Sequence, residues 1–393
     1  MKVLLIANKS EIGGAPKSMF ELASVLQKGD NVDVTIAVTA KGKLSSLCEN
    51  AGIRCVVLPH EPFVIARGST RVRRLAKLIL RPYYAVKCFI INRRSLKKIE
   101  EVLDISAYDV VHTNSNRDNF GALISKKYGI KHIWHLREFG KEDYDCVSLF
   151  PNSIRFMNEN TDIFIAISDS VKKAWQDKGL EEKKVFRVYN GVNVEGILSD
   201  PKRNSFDSDK LKIVFVGTVC PAKGQMELIK AIGILNQEER RKVSVDFYGD
   251  GPTEYVKSLQ TKASALGISN QIHFCGFCDN IGEKLVQYNT AVVCSQSEAF
   301  GRITPEYMAA GLIEIASNTG ANVELIENQI DGFLYEYGNP ENLANIIRKV
   351  LLLSKEDKLK MSYKAERKAR TKYTAALNGR HVYEIYDRAL SEK

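Results

Sequence analysis

The chain has 393 residues, of which 44% are hydrophobic and 26% charged, with only ten prolines. This composition is typical of a folded globular protein and excludes a disordered or fibrous one, and the length predicts two domains of ordinary size. The formal net charge of +10 predicts an anionic partner. The charge alone does not distinguish a nucleic acid, a membrane surface and a phosphorylated substrate.

The first apolar run, Val3–Ala7, has the length of a strand and is too short for a signal peptide or a membrane span. No later segment reaches spanning length, so we expect a cytoplasmic protein. The eight cysteines show no paired spacing, which predicts reduced thiols. Cys275 and Cys278 form a lone CxxC without the second Cys or His pair of a zinc site.

The N-terminal half alternates apolar, strand-like segments with helical patterns. The strand-like segments are KVLLIA, VDVTIAV, CVVL, DVVHT, HIWHL and DIFIAIS, and the first of them precedes the helical segment PKSMFELASVL. Alternation of this kind predicts a parallel sheet that is covered by helices on both faces.

Between Arg67 and Lys98 the sequence carries eleven lysines or arginines and no acid, interleaved with apolar residues. A basic amphipathic segment suits the surface of an anionic bilayer, so we expect peripheral contact with a membrane through residues 67–98. The alternative is an ordinary solvated helix face. Pro82 is expected to kink this helical segment or to divide it in two.

The apolar periodicity stops at about 191–210, where Asn, Gly, Ser, Asp and Pro dominate, which predicts a linker with a hinge near 190–193. The second half then restarts the alternation with LKIVFVG, VSVDFYG, QIHFCGF and TAVVCS. We therefore predict an α/β protein with two doubly wound domains, 1–190 and 211–372. Residues 373–393 are predicted to form a C-terminal helix that packs back on the N-terminal domain.

Two turns after predicted strands are candidate phosphate sites, because a glycine lets the backbone approach a ligand and a helix N-terminus offers N–H groups to phosphate. Gly13 and Gly14 open the first helix, although the full GxGxxG pattern is absent and a tight turn explains them equally well. Lys223 begins a helix after the first strand of the second domain and can reach a diphosphate; the alternative is a solvent-facing lysine.

A third turn, SEAFGRITPEYMAAG, contains Glu298 and Glu306 separated by seven residues, with Pro305 in the first turn of a helix. Carboxylates accept hydrogen bonds from hydroxyl groups, and a nucleotide sugar presents hydroxyl groups at both the sugar and the ribose. Two acids at this spacing can hold both ends of such a molecule. By itself, the spacing is also explained by acidic charge at the start of a helix.

Together with SNTGANVELI and DGFLYEYGNPENLA, this turn resembles the donor site of glycosyltransferase family 4, the bacterial polysaccharide-type glycosyl transferases of group 1. The segments VGTVCPAKGQ, VYNGVN, AISDSVKK and FYGDGP also follow the order and spacing of that family, and the resemblance covers nearly the whole chain. It implies the GT-B fold, in which two Rossmann-like domains face a central cleft and a C-terminal helix crosses back.

The resemblance implies that Glu306 holds the nucleotide ribose, that Glu298 contacts the donor sugar and that Lys223 neutralises the leaving diphosphate. Many members carry arginine at the position of Thr218, so one diphosphate cation is missing here, and Arg302 is a hypothetical replacement. The candidate donor-binding residues are Gly13, Gly14, Thr218, Lys223, Phe277, Glu298, Ala299, Phe300, Gly301, Arg302, Ile303, Thr304 and Glu306. Of these, Glu298 and Lys223 are also candidate catalytic residues.

In the N-terminal half, DVVHTNSN and HIWHLREFGKEDYD resemble the segments that form the sugar and acceptor side in bacterial polysaccharide enzymes of the family. His135 is the candidate catalytic residue there, and Arg137 and Glu138 are candidates for the acceptor side. His112 and Asn114 complete that set, although polar residues at strand ends often only cap loops.

The resemblance also implies a retaining transfer, in which the acceptor hydroxyl approaches the face from which the nucleotide diphosphate leaves. The expected partners are a nucleotide-sugar donor, with a UDP-sugar favoured over a GDP-sugar, and a glycan or lipid-linked acceptor. No metal or other cofactor is expected. The expected setting is the synthesis of capsule, O-antigen or exopolysaccharide at the inner face of the cell membrane.

Two other readings use the same architecture. A nucleotide-sugar epimerase would act on the donor without any acceptor, and a non-catalytic glycosyltransferase-like subunit is permitted by Thr218 in place of arginine. The intact Glu298, Glu306 and Lys223 favour a transferase over both. The basic charge is not accompanied by a nucleic-acid-binding motif, so nucleic acid is not an expected partner.

Overall fold

The computed structural model describes residues 1–29, 32–68, 71–140, 145–199 and 206–392. The chain forms two compact units, of which the first comprises Met1–Gly191 with Ala375–Lys393 and the second comprises Val192–Thr374. Each unit is built around a parallel sheet.

The described part of the first unit contains nine strands and, before residue 191, seven α-helices. The strands are β1 (Lys2–Ile6), β2 (Asp33–Val38), β3 (Arg54–Val57), β4 (Val64–Ala66), β5 (Val110–Thr113), β6 (Lys131–Leu136), β7 (Cys146–Ser148), β8 (Ile163–Ala166) and β9 (Val185–Arg187). The helices are α1 (Gly14–Lys28), α2 (Lys43–Asn50), α3 (Arg71–Ile79), α4 (Arg81–Val102), α5 (Phe120–Tyr128), α6 (Ser153–Glu159) and α7 (Asp169–Asp177).

Seven of these strands form the first parallel sheet in the order β3-β2-β1-β5-β6-β8-β9, while β4 and β7 form a separate antiparallel pair. In β1 the side chains of Val3 to Ile6 are all fully buried. Apolar residues occupy both faces of the strand because helices cover both sides of a parallel sheet. The order of strands reverses between β1 and β5, which creates a crevice at their carboxyl ends.

Residues 71–98 of the basic segment form α3 and most of α4, with Leu80 between the two helices, and residues 69 and 70 lie outside the described residues. Pro82 lies in the first turn of α4, where the missing N–H of proline costs no helical hydrogen bond. Proline therefore divides the segment into two helices and does not kink a single one. None of the nine residues of α3 is buried, and all but Lys77 are exposed.

The described part of the second unit contains six strands, β10 (Leu211–Val216), β11 (Val243–Tyr248), β12 (Ile272–Gly276), β13 (Thr290–Val293), β14 (Ile313–Ser317) and β15 (Phe333–Tyr335). They form one parallel sheet in the order β12-β11-β10-β13-β14-β15. Its helices are α8 (Gln225–Ile234), α9 (Gln237–Arg241), α10 (Thr253–Ala265), α11 (Ile281–Lys284), α12 (Ile303–Ala309), α13 (Asn322–Leu325), α14 (Pro340–Leu352) and α15 (Lys355–Lys372).

The predicted linker, 191–210, is described except for residues 200–205. Val192, Val194 and Ile197 are buried in the second unit, and the N–H of Val192 donates to the carbonyl of Tyr373 at 2.8 Å. The start of this segment is thus packed against the end of α15. A hinge near 190–193 stays a prediction.

The last helix, α16 (Ala375–Ser391), belongs to the first unit. Val382, Tyr386 and Ala389 are buried on it, in one apolar cluster with residues of α1. A Cβ on Gly379 would overlap the side chain of Val25 in α1. Glycine at that position lets the two helices approach closely.

Candidate functional site

In the second sheet the strand order reverses between β10 and β13, and the loops after these two strands carry the predicted lysine and the first predicted acid. The Nζ of Lys223 lies 2.8 Å from Oε2 of Glu298 and 3.4 Å from Oγ of Ser295. A reversal of strand order is where doubly wound sheets bind ligands. The ion pair therefore occupies the expected ligand position of this unit.

Two glycines allow the loops of this site to approach one another. Gly224 has φ +76°, and a Cβ there would overlap the carbonyl oxygen of Cys294 at the end of β13. Gly320 has φ +52°, and a Cβ there would overlap the backbone of Glu298, whose carbonyl accepts from the N–H of Ala321 at 2.7 Å. Larger residues would strain the backbone and separate these loops, so both glycines position the ion pair.

The second predicted acid lies one helical turn from an arginine. Gly301 has φ +68° and reverses the chain just before α12, on which Glu306 lies. The Nη2 of Arg302 is 3.9 Å from Oε1 of Glu306. Arg302 thus contacts the carboxylate that the sequence analysis assigned to the ribose, and its role as a replacement diphosphate cation stays a prediction.

Sequence analysis missed a buried acid, Glu314 of β14, which lies beneath this loop. Its side chain is fully buried, and Thr304 Oγ1 donates to its Oε1 at 2.7 Å. Burial raises the pKa of Glu314 to about 8, against the lowering effect of the Thr304 hydrogen bond. A single acid within the apolar segment LIEIAS was the signal that could have found it.

The other predicted donor residues of the second unit lie around this pair of loops. Thr218 is exposed and its carbonyl accepts from Gln225 Nε2 at 3.0 Å. Phe277 is 67% exposed after β12, whereas Phe300 is buried against the ring of Tyr373. The side chain of Phe277 is therefore accessible, whereas that of Phe300 is not, so contact of Phe300 with a donor would involve its backbone. Ala299 and Ile303 are half-buried beside Phe300.

Gly13 and Gly14 precede and open α1 in the first unit. Neither has positive φ, and a Cβ on either would meet nothing within 4 Å. A tight turn or close packing within the protein therefore does not explain these glycines. Asn114, at the end of β5, lies close by, since its Nδ2 donates to the carbonyl of Ala15 at 3.0 Å.

The structure brings four of the predicted acceptor-side residues into one buried cluster, which consists of His112, Asn114, His135 and Arg137. Arg137 Nε donates to Asn114 Oδ1 at 2.7 Å, and Arg137 Nη2 donates to Nδ1 of His135 at 3.3 Å. Nε2 of His112 lies 3.1 Å from the same Nδ1. Glu138 follows, half-buried, with its backbone carbonyl accepting from the indole of Trp175.

These contacts define the protonation of both histidines. Arg137 only donates, so Nδ1 of His135 is an acceptor, and His112 donates to it through Nε2–H. Burial, reinforced by the charge of Arg137, lowers the pKa of His112 and His135 well below the usual value. Both rings are therefore neutral, and His135 carries its proton on Nε2, which has no hydrogen-bond partner among the described residues.

Two further members of this cluster were not predicted as site residues. The hydroxyl of Tyr386 lies 2.6 Å from Nδ1 of His112 and donates to it, because that nitrogen carries no proton in the neutral form. Asn190 Oδ1 accepts from Arg137 Nη1 at 2.6 Å. Tyr386 lies 274 residues from His112 along the chain, so no local sequence signal could have linked the two.

Among the described residues, no three His, Cys, Asp or Glu side chains are grouped so that they could hold a metal ion. The sequence does contain Asp-Ser-Asp at 207–209. Asp207 pairs with Lys355, and Asp209 lies 3.1 Å from Lys242 Nζ. In the same part of the chain, no helix is long and apolar enough to cross a membrane.

Comparison with known proteins adds to this geometry. The profile of Glycosyltransferase Family 4 matches residues 12–195, and that of Glycosyl transferases group 1 matches residues 197–368. EpsD of Bacillus subtilis, assigned as a glycosyltransferase, is 25% identical over 354 residues, which cover 83% of this chain and 88% of EpsD. An uncharacterized 42.6 kDa protein in the cps region of Klebsiella pneumoniae is 23% identical over 80% of this chain and 84% of its own length.

Among solved structures, HepE from Anabaena in complex with UDP and glucose has a TM-score of 0.78 at 21% identity, over 99% of this chain and 100% of HepE. Two parallel-sheet units with such neighbours define an α/β protein of the GT-B class of glycosyltransferases, which confirms the predicted fold. Within that class, the chain belongs to glycosyltransferase family 4.

Proposed function

We propose that this glycosyltransferase moves a sugar, with retention of configuration, from a nucleoside diphosphate sugar to a lipid-linked oligosaccharide or another glycan of the cell surface. The observation that carries the proposal is the Lys223–Glu298 pair at the strand reversal, with Arg302 and Glu306 on the following turn. These groups match the two ends of a nucleotide sugar, since a cation suits the diphosphate and carboxylates suit hydroxyl groups.

Lys223 has the central role in the proposed reaction. As the bond between sugar and diphosphate breaks, negative charge accumulates on the leaving group, and a cation already in place stabilises it. Glu298 holds Lys223 in the free chain, and this carboxylate then exchanges the ammonium for hydroxyl groups of the sugar. The leaving phosphate takes the proton of the acceptor hydroxyl. No metal is part of the proposal, because the cation of Lys223 stabilises the diphosphate.

The first unit supplies the proposed acceptor side. His135 is neutral and carries its proton on Nε2, so it suits donation of a hydrogen bond to a sugar oxygen rather than abstraction of a proton. Arg137, fixed by Asn114 and Asn190, holds this ring from the other side. UDP-sugars are the favoured donors, because HepE, which has the same fold, binds UDP and glucose. GDP-sugars come next.

We also propose that the protein works in the cytoplasm, in contact with the inner face of the cell membrane. On α3, Val72, Leu75, Leu78 and Ile79 are between 59% and 79% exposed, and the same helix carries four basic residues and no acid. This combination suits an anionic bilayer surface. The similarity to a protein of a cps region supports a place in polysaccharide synthesis, including capsule, O-antigen or exopolysaccharide.

Thermal unfolding with a panel of UDP-, GDP- and dTDP-sugars in EDTA tests the proposed donor site. A ligand that binds the native state raises the melting temperature by mass action. We expect one nucleotide class to stabilise the wild type and to stabilise Glu306→Ala much less. Glu238→Ala, at an exposed position of the same unit, is the matched control and should respond like the wild type.

Two outcomes separate the proposal from its alternatives. If no nucleotide sugar stabilises the wild type, the catalytic role is wrong and a non-catalytic subunit is favoured. If the stabilising nucleotide sugar is converted into an isomer without any acceptor, the protein is an epimerase. Retention is tested by the anomeric configuration of the product.

A further inference from the structure

The first unit contains an apolar cavity of about 310 Å³ between α4, α5 and α6. Its wall includes Phe63, Leu96, Leu123, Phe150 and Phe156. This volume is at the lower end of the range for small-molecule sites, which is about 300–1,000 Å³. None of the residues to which the proposed reaction assigns a role lines it.

The two asparagines in the cavity wall, Asn92 and Asn119, are hydrogen-bonded to each other. Asn92 Nδ2 donates to Asn119 Oδ1 at 3.3 Å and to the carbonyl of Glu61 at 3.1 Å, and Asn92 Oδ1 accepts from the N–H of Glu61 at 2.8 Å. A sugar or nucleotide would need free donors and acceptors there. The cavity therefore suits a hydrocarbon ligand.

The rim of the cavity combines an exposed aromatic ring with a cation. Phe89 lines the cavity and is 56% exposed, and the guanidinium of Arg93, one turn later on α4, lies 5.8 Å from the centre of its ring. On the same helix, Tyr83 and Val86 are also more than half exposed. The cavity thus adjoins the apolar and basic surface of α3 and α4, where a molecule with a hydrocarbon chain and an anionic head would arrive.

We propose that this cavity binds the hydrocarbon chain of the lipid that carries the acceptor, with Arg93 contacting its phosphate. The proposal rests on the proposed function, because it names the part of a lipid-linked acceptor that this unit holds. Asn119 of the cavity wall ends the loop that begins at Asn114, the partner of Arg137. A hydrocarbon chain held in the cavity therefore lies beside the loop that leads to the acceptor-side cluster.

One of the two tryptophans is a built-in reporter of occupancy. The ring of Trp134 lies 5.7 Å from that of Phe63, which lines the cavity. Trp175→Phe leaves Trp134 as the single tryptophan of the full-length chain. Monomeric ω-bromododecyl phosphate, added without membranes, should quench its fluorescence saturably, whereas dodecyl phosphate without bromine should compete for the site without quenching.

A pair of serine substitutions provides the matched test. Ser153 lines the cavity, and Ser153→Phe should fill it and weaken binding of the brominated probe at least about tenfold. Ser258→Phe, at an exposed position of α10, makes the same change elsewhere and should leave binding unchanged. Stabilisation of each variant by the nucleotide sugar reports that it is folded and that the donor site is intact.

Vesicles of phosphatidylglycerol distinguish the lipid carrier from ordinary bilayer lipid. Ser153→Phe should still sediment with the vesicles. The double variant Arg71→Glu with Lys98→Glu should no longer bind the vesicles but should still bind the monomeric probe. Absence of quenching, or quenching that Ser153→Phe leaves unchanged, overturns the proposal. If Ser153→Phe also abolishes vesicle binding, the cavity binds ordinary bilayer lipid, and the proposal is likewise overturned. Loss of nucleotide-sugar stabilisation in the wild type is a separate failure, which concerns the proposed function alone.

Discussion

At the scale of single residues, the contact between Lys223 and Glu298 leads to a prediction about turnover. We expect Lys223→Ala to lower kcat by about 10²–10³-fold, because the negative charge that the lysine stabilises is greatest in the transition state. The measurement is steady-state transfer with the nucleotide sugar that stabilises the wild type. Lys230→Ala, an exposed lysine on α8, should leave kcat unchanged. An equal fall in both variants would mean that net charge, and not the position of Lys223, matters.

The buried Glu314 leads to a prediction about pH. Burial raises its pKa from 4.5 to about 8, so between these values the folded protein binds a proton that the unfolded chain releases. The free energy of unfolding therefore falls as pH rises from about 4.5 to 8. Glu314→Gln keeps an oxygen that accepts from Thr304 but does not ionise, so it should remove this contribution.

Urea unfolding of the wild type and of Glu314→Gln at several pH values checks this difference. The difference in free energy of unfolding between the two proteins should grow in favour of the variant as the pH approaches 8, by on the order of a few kcal/mol. The histidines titrate in the same pH range, but their contribution to the free energy of unfolding is common to both proteins and cancels in the comparison. A gap that is independent of pH would show that Glu314 stays ionised when the protein folds.

The candidate site residues could be named from the sequence, whereas the contacts that hold them in place could not. Glu298, Glu306 and Lys223 stand in a recognisable order along the chain. Gly224 and Gly320, by contrast, are required because another strand or loop passes close by. Such approaches depend on the packing of the finished sheet, which the local sequence does not contain.

At the scale of elements, α3 allows the proposed membrane contact to be tested without a large loss of protein stability. Leu75, Leu78 and Ile79 are at least 59% exposed, so we expect their combined substitution by serine to change stability by no more than about 0.5 kcal/mol for each residue. We also expect it to weaken sedimentation with anionic vesicles, since apolar side chains anchor an interfacial helix.

The control for α3 is Leu352→Ser in the second unit, where the leucine is 85% exposed. It should leave vesicle binding unchanged. If the α3 variant also binds vesicles as well as the wild type does, the segment is an ordinary solvated helix face and the proposed membrane contact is wrong. Thermal unfolding of both variants reports on stability.

The bounds of helices and strands could be predicted best where all residues of an element are buried, and less well where the element is exposed. Val3–Ile6 of β1 and the whole of β8 are buried and are continuous apolar runs in the sequence, whereas the equally buried strands β5 and β14 also contain His112 and Glu314. In the basic segment the sequence allowed either one kinked helix or two helices at Pro82, because a proline can kink a helix or lie in its first turn. Its surroundings settle this, since Leu80 separates α3 from α4.

At the scale of the whole molecule, the first unit is assembled from two distant parts of the chain. Residues 1–191 supply its sheet, and α16 supplies Val382, Ile385, Tyr386 and Ala389 to the core that lies against α1. The second unit is continuous, from Val192 to Thr374. The first unit therefore depends on a segment that is distant along the chain, whereas the second does not.

A chain that ends at Thr374 tests this dependence. Removing α16 exposes the apolar core of the first unit and removes the Tyr386 hydroxyl from His112, so we expect residues 1–191 to be cleaved rapidly in limited proteolysis. The segment 192–374 should resist cleavage, and the nucleotide sugar should protect it further, because Lys223, Glu298 and Glu306 all lie within it. A control chain that ends at Ala389 keeps the buried residues of α16 and should be cleaved like the wild type. Equal resistance of both units in the shorter chain would show that the first unit is stable without α16, and that the final helix serves the histidine cluster alone.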